Sequence, residues 1–172
     1  MALLARDAAW CGGRGNGLRT ILILGVAVLA FFVQGCAQSG AGSGAMTLRI
    51  YDWKTGEIYA QAPVRVNSRL FFGWEHSLEK IPWNEYFHID EERNLILDAI
   101  TFPAFGAGIP ENKGRVCYVR DGLIHMEEIG QVFPELVWLN SHTATRDILL
   151  DGRLVARGDG LPQHTRLRLV IE

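Results

Sequence analysis

From residue 46 onward the apolar positions recur with a period of two. TLRIYDW (47–53), RLFFGWEHS (69–77), NEYFHID (84–90), NLILDAITF (94–102), RVCYVR (115–120), LIHMEE (123–128) and RLRLVIE (166–172) alternate or run apolar over strand lengths. Two dipeptides announce hairpins. Asp121-Gly122 joins VCYVR to LIHM and Asp151-Gly152 joins DILL to RLVA; Asp-Gly suits the type I′ turn, which needs positive φ at both central positions. Lys54 to Gly56 and Asp90 to Asn94 supply further turn chemistry. The stretch from Val132 to Leu139 also reads as extended. Many short strands between closely spaced turns predict an all-β fold over residues 47–172, an antiparallel sandwich or a small barrel.

The chain before residue 46 has a different pattern. Residues 21–33, ILILGVAVLAFFV, are uncharged and apolar, and follow Arg6, Arg14 and Arg19. As a helix that run spans about 20 Å, short of a hydrocarbon core of about 30 Å. Residues 1–35 therefore read as a signal peptide or membrane anchor. Val33-Gln34-Gly35-Cys36 resembles a bacterial lipobox, whose cysteine is acylated; an uncleaved anchor and plain secretion are the alternatives. Residues 36–46 form a Gly/Ser-rich flexible tether. The expected location is extracytoplasmic, at a membrane.

Charge and cysteine content narrow the chemistry. The 172 residues are 48% hydrophobic with a formal charge of -2. Residues 1–35 carry three arginines and one aspartate, so of 17 basic and 19 acidic residues 14 and 18 remain, a net of -4. Nucleic-acid binding has no electrostatic basis there. With Cys11 in the signal and Cys36 acylated, Cys117 has no partner for an intramolecular disulfide, and its VCYV setting suits a buried thiol. Five histidines, at 76, 88, 125, 142 and 164, are scattered; only His125-x-Glu127 puts two ligand types on one strand face, so no metal or other cofactor is expected.

Two segments are unusual. WEHSLEKIPWNEYF (74–87) gathers polar groups among large aromatics. On a strand Phe72, Trp74 and His76 share one face and Phe71, Gly73, Glu75 and Ser77 the other, so His76 and Ser77 form no dyad with each other. A turn at Lys80 to Pro82 places Ser77 opposite Glu85 and His76 opposite Tyr86; a one-residue slip brings His76 opposite Glu85. The second segment, FPAFGAGIPENKG (102–114), is an irregular loop. It lacks the G-K-[ST] of a phosphate loop, and serves either as a packed crossover or as a docking element.

HSLEKIPWNEYF, the later FGAGIP (105–110) and an opening at Thr55, Gly56, Pro63 and Val64 resemble the bacterial family named domain of unknown function eighteen-fifty, over residues 47–110. The resemblance implies small exported or anchored proteins associated with membrane subunits of TAXI-type TRAP transporters. It implies a context, with no activity attached. The expected function is thus a membrane-tethered, non-enzymatic transporter accessory acting by protein contact. The rival is a solute-binding module for a small carboxylate-like ligand, and a more distant one a hydrolase centred on Ser77 and His76. Candidate recognition residues are His76, Ser77, Glu79 and Glu85, with Phe105, Gly106, Gly108 and Pro110 of the loop. A structural role, in which these polar groups satisfy one another at a hairpin end, competes with recognition.

Overall fold

The computed structural model describes residues 45–76, 78–103 and 112–172. Among them run strands β1 (Met46–Asp52), β2 (Ile58–Val64), β3 (Arg69–Glu75), β4 (Pro82–Ile89), β5 (Leu95–Phe102) and β6 (Val116–Arg120). They continue with β7 (Leu123–Phe133), β8 (Leu136–Leu139), β9 (Thr145–Leu150), β10 (Arg153–Arg157) and β11 (Arg166–Ile171). A single 3₁₀ turn, Gly158–Gly160, precedes the last strand. The signal and lipobox readings, with Cys36, and the tether up to residue 44 lie outside the described residues; Met46, expected to end the tether, instead opens β1 and is buried in the core.

The fold is an antiparallel β-sandwich. Four strands pair in the order β2-β1-β11-β8 and seven in the order β10-β9-β3-β4-β5-β7-β6. The two ends of the domain are stitched together: Thr47 and Glu172 exchange backbone hydrogen bonds of 2.8 and 2.9 Å. Period-two alternation carries the inward residues of both sheets into one core. Leu48, Ile50, Leu167 and Leu169 come from the smaller sheet; Leu70, Phe87, Ile89, Leu95, Ile100, Phe102, Met126 and Ile148 come from the larger, all fully buried. Each such side chain contributes about 1.5–3 kcal/mol of transfer free energy.

The turns form for the local reasons the sequence offers. Asp121 and Gly122 take φ of 52° and 75°, Asp151 and Gly152 of 47° and 76°, as a type I′ turn needs. Asp52 accepts the N–H groups of Lys54 and Thr55 at 2.7 and 2.8 Å, and Asp90 accepts that of Asn94 at 2.7 Å. The alternation did not single out β2, whose Ala, Gln and Pro content is weak in pattern. It is an edge strand, where Pro63 is tolerated. The extended stretch ending at Leu139 divides at Pro134 and Glu135 into the end of β7 and the short β8. Within β7 the ladder to β5 is broken between Glu127 and Gln131, where Glu128 and Gly130 have positive φ.

Candidate functional site

The hairpin of β3 and β4 sets the site. Its register pairs Glu75 with Pro82, Trp74 with Trp83 and Phe72 with Glu85. Both registers drawn from the sequence are therefore corrected: Glu85 lies opposite Phe72, not Ser77 or His76. The reason is the connection, which is longer than a turn at Lys80 to Pro82. His76 donates its N–H to the Ile81 carbonyl at 2.9 Å, Lys80 donates to the His76 carbonyl at 2.8 Å, and Lys80 adopts φ 55°. His76 and Ile81 thus close the connection between the strands, and Pro82 is already in β4.

This register points a carboxyl inward. Along β4 the alternation that buries Trp83, Phe87 and Ile89 places Glu85 on the same face, because slipping by one residue would expose those three side chains. The indole N–H of Trp83 donates to Glu85 Oε1 at 3.1 Å. Burial pushes the Glu85 carboxyl above the ordinary carboxylate range. Hydrogen bonding from Trp83 and Trp74 and the charge of Lys113 pull the other way without cancelling it.

Near Glu85 the aromatic rings pack in two groups. Trp74 packs on Trp83 at 5.5 Å, and Trp83 stacks on Phe102 at 4.9 Å with planes 8° apart. His76 lies 5.8 Å from both Trp74 and Trp83. From the opposite sheet Trp138, on β8, meets Phe72 edge-on at 5.1 Å. Between the two sheets opens a cleft of about 550 Å³, lined by Phe72, Trp74, Glu85, Phe133, Leu136 and Trp138 among others. The indole N–H of Trp138 is buried and, among the described residues, has no hydrogen-bond partner. A second carboxylate of the cleft, Glu135, is paired with Arg168. The concave wall is mostly apolar with few polar groups, and its size falls within the range of small-ligand sites.

Of the sequence-derived candidates, His76 and Glu85 meet through the intervening indoles. Glu79 sits in the turn, where its N–H approaches His76 Nδ1 at 3.4 Å. Ser77, Phe105, Gly106, Gly108 and Pro110 lie outside the described residues. Phe72, Trp74, Trp83 and Trp138 were not among the candidates. The i, i+2 spacing of Trp83, Glu85 and Phe87 was a usable signal for an inward carboxyl.

A second polar group lies on the outer face of the larger sheet. Tyr118 stacks on His125 at 4.8 Å and donates its hydroxyl to Glu127 at 2.6 Å; Asp98 joins Arg69 and His88 at 2.7 and 2.8 Å. His125 and Glu127 share a strand face as expected, but their polar atoms are 3.9 Å apart. Among the described residues no three potential metal ligands gather. These groups satisfy one another as cross-strand pairs do.

A family model described as Domain of unknown function (DUF1850) matches residues 71–156, half of the chain. The chain belongs to that family. The matched segment of the DUF1850 domain runs from β3 to β10 and includes Trp74, Glu85, Phe133 and Trp138, so the described cleft walls are built mainly within it. No match was found among curated proteins or among solved structures.

Proposed function

We propose that this DUF1850 domain is a ligand-binding accessory of a TRAP-type transport system, held at the outer side of the membrane and without catalytic chemistry. The transport context is the one implied by the resemblance of residues 47–110. Ligand capture is supported by one observation above the rest: Glu85 faces inward from the middle of a core strand into an aromatic cleft. A carboxyl there costs folding free energy that an apolar residue would not, and such exceptions mark sites of function more often than of packing.

Contact with a membrane subunit is a second reading, favoured by the outer edge of β8, which pairs with no other strand among the described residues. Val137 and Leu139 are exposed on that edge beside the cleft, and an unpaired strand edge is a template for an incoming strand. Native mass spectrometry of the full chain released from detergent tests the first reading, using a panel of small carboxylates, ammonium compounds and neutral sugars. A stoichiometric adduct that disappears in Trp138→Leu is expected. Absence of any adduct, together with retention of the membrane subunit by the wild type on co-purification, would hand the function to protein contact alone.

A further inference from the structure

We infer that the Glu85 cleft takes an organic cation, a primary ammonium or guanidinium on a short apolar stem. The inference rests on the ligand-binding reading above and narrows it to one class of charge. Glu85 is an acid whose counter-charge is missing: among the described residues Lys113 is the cation that bears on it, and it acts through space against a larger cost of burial. Glu135, the other carboxylate at the cleft, is already matched by Arg168 and leaves no comparable vacancy of charge.

The walls select in the same direction. Phe72, Trp74 and Trp138 line the space beside Glu85, and any of these rings that turns its π face to the ligand attracts a cation and opposes an anion. Phe133 and Leu136 provide apolar surface for a stem. A carboxylate ligand would bring a second negative charge against Glu85, tolerable only while Glu85 keeps its proton. A neutral ligand would leave the ionised carboxyl without a counter-charge, held among the described residues by the Trp83 and Trp74 hydrogen bonds and the charge of Lys113 alone. A cation supplies both the counter-charge and the π contacts.

The cationic group has two sources with the same chemistry: a free small molecule, or a Lys or Arg side chain on an extended segment laid along the outer edge of β8. The test uses the full chain in non-ionic micelles at constant ionic strength, with the fluorescence of the tryptophans as readout. The probes are n-propylammonium, propionate, propan-1-ol and the blocked tripeptide acetyl-Val-Lys-Val-amide. Saturable binding of propylammonium is expected, with Glu85→Gln and Trp138→Leu each weakening it by about tenfold or more. A tripeptide that binds more tightly than propylammonium assigns the cation to a protein side chain, and a weaker one assigns it to a free solute; either upholds the class. Saturation by propionate or propan-1-ol at lower concentration than propylammonium overturns the charge assignment while the ligand-binding reading stands. Unchanged affinity in folded Glu85→Gln overturns it too. No saturation by any probe, with no adduct across the wider panel, overturns both.

Discussion

Adding one methyl group at Gly158 should unseat the support of the cleft. Gly158 is buried in the 3₁₀ turn, and an ideal Cβ there would stand 2.0 Å from the Thr145 carbonyl oxygen, 2.6 Å from its carbon and 2.7 Å from Thr145 Cβ. The obstacle is not a flexible side-chain tip. Thr145 is the first residue of β9, pairs with Trp74 of β3, and donates its N–H to Ser141 at 2.9 Å. The 3₁₀ turn must therefore retreat by more than an ångström. It would drag the Gly158 carbonyl from the fully buried Asn140, whose amide donates to the carbonyls of Gly158, Leu161 and Pro162 at 2.9, 3.2 and 3.0 Å. Overpacking costs about 1–3 kcal/mol, and stranding part of the Asn140 amide about 1–3 kcal/mol more. Gly158→Ala should thus lose about 2–6 kcal/mol in urea unfolding followed by tryptophan fluorescence. Gly160→Ala, two residues on with nothing within 4 Å of its Cβ, is the matched control and should stay within about 1 kcal/mol of wild type. A Gly158→Ala protein within about 0.5 kcal/mol of wild type, or a control equally damaged, would refute the packing argument.

Three other outcomes are expected. Gly152→Val should destabilise by about 1–2 kcal/mol through backbone strain alone, since φ is 76° and no atom stands within 4 Å of the new Cβ; chemical denaturation measures it. Because burial raises the Glu85 pKa above its ordinary 4.5, the folded state holds that proton more tightly than the unfolded chain, so stability falls as pH rises from that value through the folded pKa. Glu85→Gln should remove this decline in a series of thermal melts against pH, and Trp83→Phe, lacking the N–H that favours the anion, should move it to higher pH. Metabolic labelling with a fatty-acid probe should mark the wild type and not Cys36→Ala; equal labelling would exclude acylation at that cysteine.

What the sequence determined by itself is what depends on neighbours along the chain. Alternation at Leu48 and Ile50, at Phe87 and Ile89, and at Leu167 and Leu169 names inward positions, because side-chain direction in a strand is a property of the backbone repeat. Asp121-Gly122 and Asp151-Gly152 fix their hairpins because each local φ requirement meets a residue that tolerates it. The inward direction of Glu85 was legible in the same way from Trp83 and Phe87, but the hairpin register was not. It depends on how many residues the connection from His76 to Ile81 consumes, and that is settled by hydrogen bonds between its two ends. Nor could local pattern bring Trp138 over Phe72, since the two belong to different sheets and meet only when β8 joins β11 and the sheets close face to face. A cleft between sheets is a long-range object: its walls come from segments distant in sequence, whose side chains become neighbours only through tertiary packing.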